Sequence, residues 1–143
     1  MPVTYQIEGV PTPDIRRREV LRWIKEVASI YDKKLGAISF VFCSDEYILR
    51  INSLYLKHDY YTDIITFDYG ENGEISGDIF ISLETVKSNS EKYKTDYIEE
   101  LHRVIIHGVL HLCGINDKSA KERADMRKKE DEALKMLDYI NLK

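Results

Sequence analysis

Apolar residues along this 143-residue chain change period several times, from the alternation of a half-buried strand to the three-and-four spacing of a helix. Val3 to Ile7 alternates weakly and predicts a first strand. Thr12-Pro13-Asp14 offers a helix start, with Thr12 as N-cap and proline at the first helical position. Ile15, Leu21, Ile24 and Ala28 mark the buried stripe of that helix. Arg16, Arg17, Arg18, Arg22 and Lys25 fall largely elsewhere, on a solvated face. Ala37 to Cys43 is β-branched and aromatic, hence a strand. Ser44-Asp45-Glu46 caps a second helix carrying Ile48 and Ile51. Ile64 to Tyr69 alternates as a strand, residues 71–74 turn, and Ile75 to Ser82 returns as its partner, interrupted at Gly77-Asp78. A short polar helix starts at Ser82 or Thr85 and ends near Tyr93.

Thr95 then caps a helix whose Leu101, Val104, Ile105, Val109 and Leu112 give it enough apolar surface to be central. Glu99 and Glu100 in its early turns suit the helix dipole. Ala120 to Leu137 forms a charged closing helix, in which Lys118, Lys121, Arg123, Arg127, Lys128 and Lys129 are offset by neighbouring acids. The order β-α-β-α-β-β-α-α-α predicts an α+β fold. It is one domain over residues 1–143, with a central mixed sheet of about four strands and five or six helices. Strand order is not readable from the pattern.

Composition narrows the function. Lys plus Arg is 21 against 25 Asp plus Glu, a net charge of -4, so contact with nucleic acid has to be local. Cys43 and Cys113 lie in apolar runs and read as buried free thiols of a reducing compartment. The start Met-Pro-Val-Thr-Tyr lacks the basic-then-apolar order of a signal peptide. No run approaches the ~20 apolar residues of a membrane span. The expectation is a cytoplasmic protein without membrane contact.

The candidate chemistry lies in the central helix. His107 and His111 are four residues apart, so both imidazoles project from one face. Gly114 is suited to end the helix in a left-handed conformation, after which the chain can fold back and bring Asp117 to the two rings. Two neutral imidazoles and a carboxylate with room for a water is the layout of a hydrolytic metal site, most simply one Zn²⁺ per chain. His107, His111 and Asp117 would act catalytically through the metal-bound water. In the zinc-peptidase frame H-E-x-x-H the residue after the first histidine is the general base. Here it is Gly108, which takes no proton and instead suggests close approach of another backbone or a substrate. Glu130 and Asp78 are candidates to hold the other nitrogen of a ligating histidine. His102 lies about 140° round the helix from His107 and reads as a surface histidine.

With these residues in view, the chain resembles the YbeY family of endoribonucleases, or ribosomal RNA maturation factors. Residues 61–67, Tyr-Thr-Asp-Ile-Ile-Thr-Phe, are similar to the family's T-D-V-L-S-F strand, and Gly77 to Ser82 to its G-D-I-x-I-S strand. His107 to Asp117 resembles its H-G-x-L-H-L-x-G-Y-D-H motif, and Met126 with Glu130 the M-x-x-x-E that follows. The similarity covers roughly residues 45–137. It implies a metal-dependent, single-strand-specific endoribonuclease of the bacterial cytoplasm, with the 16S rRNA precursor and the small ribosomal subunit as partners.

Two positions depart from that pattern. Asp117 stands where the family has a third histidine. Its negative charge should make the metal acidify its water less, and favours a harder ion such as Mn²⁺. Leu56 stands where the family has an arginine associated with RNA, leaving Lys57 and His58 as nearby RNA contacts. Tyr60 and Tyr61 read as packing beside a strand. A metalloprotease on the same helix, or a ribosome assembly factor with a structural metal, stay open as alternatives.

Overall fold

The computed structural model describes residues 2–57 and 62–137. Its elements are β1 (Val3–Glu8), α1 (Arg17–Ile30), β2 (Lys34–Cys43), α2 (Asp45–Leu56), β3 (Ile64–Asp68), β4 (Glu74–Ser82), α3 (Leu83–Lys92), α4 (Tyr97–Leu112) and α5 (Ala120–Leu134). Order and types agree with the hydrophobic pattern. The four strands form one mixed sheet in the order β1-β2-β4-β3. β1 and β4 both run parallel to β2, and β3 lies antiparallel to β4 at the edge.

Strand alternation sorts side chains to two faces. Ile38, Phe40 and Phe42 of β2, with Ile75, Ile79 and Ile81 of β4, pack with Trp23 and Ile24 of α1 and the apolar residues of α4. Val41, Cys43 and Ile65 face the other way, onto Ile48 of α2. α4 is buried around most of its circumference, from Leu101 to Leu112, so it is the central helix that the pattern predicts. It packs tightly on the sheet at Gly108. A β-carbon there would lie 3.0 Å from Ile64 Cδ1 and from Ile79 Cγ2. The glycine therefore serves packing against sheet side chains rather than approach of a backbone or substrate.

β4 runs unbroken through Gly77-Asp78, where the sequence suggests an interruption. A β-carbon on Gly77 would stand 2.2 Å from the Phe67 carbonyl oxygen, and glycine is what lets β3 and β4 pair there. Gly77→Ala is expected to cost about 1–3 kcal/mol of stability, because a backbone atom cannot rotate out of the way. The urea midpoint should fall accordingly; a midpoint equal to that of the parent would contradict this packing.

Helix starts differ in two places. α1 begins at Arg17, and its N-cap Arg16 makes no side-chain cap bond; Thr12 and Pro13 lie outside it. The helix starts where its buried stripe Val20, Trp23, Ile24, Val27 and Ala28 comes within reach, so tertiary packing prevails over a local capping signal. α4 is capped by Asp96, whose carboxylate accepts the Glu99 N–H at 3.1 Å, while Thr95 donates its own N–H to Ser90. α5 opens with a full capping box between Ser119 and Glu122 and ends at Leu134 rather than Leu137. Trp23 Nε1 donates to the Ala133 carbonyl at 2.7 Å, which ties α5 to α1. Cys43 and Cys113 are free and buried; burial pushes their thiols up to about 12 and about 11. Among the described residues, no helix is long and apolar enough to cross a membrane.

Candidate metal centre

The end of α4 explains how a linear motif becomes a site. Gly114 has φ +95. Its N–H donates to the His111 carbonyl at 3.0 Å, and the Ile115 N–H donates to the Leu110 carbonyl at 3.1 Å. These two bonds make a Schellman turn, which satisfies the last carbonyls of the helix and reverses the chain. The reversal brings Asp117 back onto the helix face that carries His107 and His111. The imidazoles stand one turn apart, with ring centroids 4.6 Å from each other. Asp117 Oδ2 lies 3.3 Å from His107 Nε2 and 3.2 Å from His111 Nε2.

Those separations suit a metal. Donor atoms of all three residues lie within 4.8 Å of one another. With bonds of about 2.05 Å, neighbouring donors of a tetrahedral Zn²⁺ are about 3.3 Å apart. His107, His111 and Asp117 are therefore brought together as the spacing predicts, and their donor chemistry fits a divalent ion.

Glu130 joins them. Its Oε2 accepts a hydrogen bond from His107 Nδ1 at 2.6 Å. A carboxylate only accepts, so the proton sits on Nδ1 and the Nε2 lone pair is directed to the ligand position. Burial alone would lower the His107 pKa; the hydrogen bond and charge of Glu130, with Asp117 and Asp63, outweigh it and leave the pKa raised. Glu130 is held in turn by Arg103, whose Nη1 lies 3.0 Å from Oε1, while Nη2 reaches Asp131 at 2.7 Å. A chain of contacts thus runs Asp131, Arg103, Glu130, His107.

A cleft of about 270 Å³ opens beside these residues, walled also by Asp63, Glu100 and Arg127. Burial raises the Asp63 carboxyl pKa, against the His107 charge and backbone N–H bonds. It likewise raises that of Glu100, against Arg103 and Arg127. Sequence reasoning gives Arg103, Asp63 and Glu100 no place in the site, and Arg127 only a shared one, among the α5 cations that follow the metal motif. For Arg103 the signal is its place four residues before His107, on the same helix face. Asp63 sits inside a quoted strand motif without a role. Glu100 reads as a helix-dipole charge, and Arg127 as one cation of a salt-bridged exposed helix whose position beside the site makes RNA steering worth testing.

Other candidates do not join the group. Asp78 lies on the sheet face opposite α4, since its neighbours Gly77 and Ile79 are the residues that meet α4. It accepts a hydrogen bond from Tyr69 Oη at 3.1 Å instead. Lys57 is exposed at the left-handed C-cap of α2 and does not line the cleft. His58, Tyr60 and Tyr61 lie outside the described residues. Position 108 meets Ile64 and Ile79 of the sheet, and a glycine there gives the peptidase frame no base.

His102 is fully buried rather than at the surface. Periodicity places it off the metal face correctly, but α4 is enclosed on nearly every side. Its Nδ1 donates to the Ile98 carbonyl at 2.6 Å and its ring lies 6.1 Å from Trp23. Burial lowers its pKa, against that hydrogen bond and Asp14. The unfolded chain therefore binds the extra proton. This group's contribution to stability is present above the unfolded value of about 6.5 and is lost as pH falls through the lower folded value. Urea midpoints at about pH 7.5 and about pH 5.5 should show a smaller acid drop in His102→Leu than in the parent. Equal drops would contradict a neutral buried ring.

Comparison with known proteins agrees with the motif. The family model for endoribonuclease YbeY matches residues 9–138. The endoribonuclease YbeY of Bacteroides fragilis is 62% identical over 136 residues, covering 95% of this chain and 98% of that protein. Its counterpart in Bacteroides thetaiotaomicron is 60% identical over 136 residues, covering 95% and 99%. The solution structure of TM1509 from Thermotoga maritima has a TM-score of 0.62 at 21% identity, over 93% of this chain and 88% of that one. That last likeness bears on the fold.

Proposed function

We infer that this chain, which belongs to the YbeY family of endoribonucleases, cleaves single-stranded RNA with the help of one divalent metal ion. Its place is in 16S rRNA maturation and small-subunit quality control in the cytoplasm. One observation carries the chemistry: two imidazoles and the Asp117 carboxylate converge within 4.8 Å, beside a cleft of about 270 Å³.

His107, His111 and Asp117 would hold the ion, most simply Zn²⁺. When bound, it supplies a Lewis acid for a phosphoryl oxygen and lowers the pKa of water. Glu130 fixes the His107 tautomer, and Arg103 fixes Glu130. Asp63 lines the same cleft, beside the metal residues. The carboxylate of Asp117 adds a negative charge that a third imidazole would not, which favours Mn²⁺ relative to Zn²⁺. Gly108, packed against Ile64 and Ile79, speaks against peptide hydrolysis.

Cleavage of a 16S precursor fragment by the purified chain tests this reading. The expected result is cutting within single-stranded segments, blocked by chelation. Cells lacking the gene should accumulate unprocessed 16S precursor. Normal rRNA ends in such cells would contradict the assignment to rRNA maturation, and absence of RNA cleavage by the metal-loaded chain would contradict the nuclease itself.

A further inference from the structure

The cleft has an electrostatic problem to solve for an RNA substrate. Asp63, Glu100, Asp117 and Glu130 all line it, and the chain carries -4 overall. Each RNA phosphate brings another negative charge, and beyond the one phosphoryl oxygen a metal ion would meet, the strand needs a protein cation to hold it. Two guanidinium groups line the cleft, Arg103 and Arg127. Arg103 is 9% exposed and already occupied: Nη1 holds Glu130 at 3.0 Å and Nη2 holds Asp131 at 2.7 Å. Drawing it onto a phosphate would release the carboxylate that orients His107.

Arg127 differs on each count. It is exposed, and among the described residues it has no carboxylate oxygen within the 4.0 Å of an ion pair. It stands three residues before Glu130 on α5, on the same helix face, and Glu130 touches His107 at 2.6 Å. Its charge is also felt by Glu100 across the cleft. The helix that carries it is anchored at both ends, by the Ser119–Glu122 capping box and by the Trp23–Ala133 bond. An anchored helix presents a long, planar cation to the cleft from a fixed root.

We propose that Arg127 is the phosphate-binding residue of this cleft, gripping the backbone of single-stranded RNA beside the metal residues. Its fork matches two phosphate oxygens, which a lysine ammonium does not. The assignment rests on the RNA-cleaving reading of the same site. It adds which residue meets the strand and by what part of it: the phosphate, without base preference.

Binding of a labelled single-stranded oligoribonucleotide to the full chain, followed by fluorescence anisotropy across a salt series, tests it. The proteins are the parent, Arg127→Gln, Arg127→Lys and Lys128→Gln. The last removes the same charge one residue along α5, outside the cleft. Arg127→Gln should weaken binding about tenfold and reduce the slope of log affinity against log salt by about 0.7. Arg127→Lys should recover part of both, and Lys128→Gln should stay near the parent. In cleavage the loss should appear in KM with kcat held, as for a contact equal in ground and transition states. Equal weakening by Arg127→Gln and Lys128→Gln would reduce Arg127 to net charge and overturn the assignment, as would unchanged binding. A parent that binds RNA through Arg127 but never cuts it would uphold the assignment and overturn the nuclease reading. A parent that does not bind RNA would overturn both.

Discussion

Replacing His111 with alanine is expected to reduce RNA cleavage to the level of metal-stripped parent protein, and to remove tight metal retention with it. His111 Nε2 stands 3.2 Å from the Asp117 carboxylate and one helical turn from His107. With alanine there, one imidazole and one carboxylate remain, too few donors for a closed tetrahedral ion with an exchangeable position. The fold should survive. His111 is only partly buried, at 26% side-chain exposure, and the turn after α4 uses its backbone carbonyl rather than its ring. Thermal unfolding of the metal-free proteins should therefore be nearly the same, while added Zn²⁺ or Mn²⁺ raises the midpoint of the parent alone. Metal-dependent stabilisation of the variant equal to that of the parent would show that the ion sits elsewhere.

The second large effect is expected at Glu130, where metal affinity and stability come apart. Glu130→Gln keeps the shape but removes the charge that His107 Nδ1–H and Arg103 both face. Metal affinity and cleavage should fall about 10–100-fold, the usual consequence of losing the carboxylate behind a ligating histidine. Stability should fall by up to about 3 kcal/mol, since Arg103 loses a buried partner; Asp131, half exposed, retains part of the pairing. The double variant Arg103→Met, Glu130→Leu separates the two roles. Apolar side chains of similar volume should recover most of the stability, because a buried ion pair seldom outperforms good packing. Metal affinity should stay low, because nothing then fixes the His107 tautomer. Recovery of metal affinity in the double variant would show that Glu130 matters only for folding.

Most of the element order is legible in the sequence because each segment keeps one period. The metal trio is legible too, since helical spacing, a helix-ending glycine and a following acid are local features, and the Schellman turn joins them within eleven residues. Long-range placement is different. Nothing local to β4 shows that it sits between β2 and β3, or that Asp78 points to the α2 side of the sheet. That depends on Gly77 and Ile79 meeting α4, which is decided by packing. Arg103 escapes notice for a related reason. Its meaning comes from Glu130, 27 residues away, on a helix whose docking depends on Trp23 and Ala133. His102 shows the reverse error: the angular argument is right, but solvent exposure is a property of the whole core.

The central claim is that His107, His111 and Asp117 hold one divalent ion on which RNA cleavage depends. The measurement that meets it most directly is a metal titration of the stripped parent chain with a single-stranded RNA substrate present. Cleavage should be absent without metal, rise with added Zn²⁺ or Mn²⁺, and saturate at one ion per chain. Cleavage that persists after complete stripping, or that saturates without any ion bound at these three residues, would contradict it.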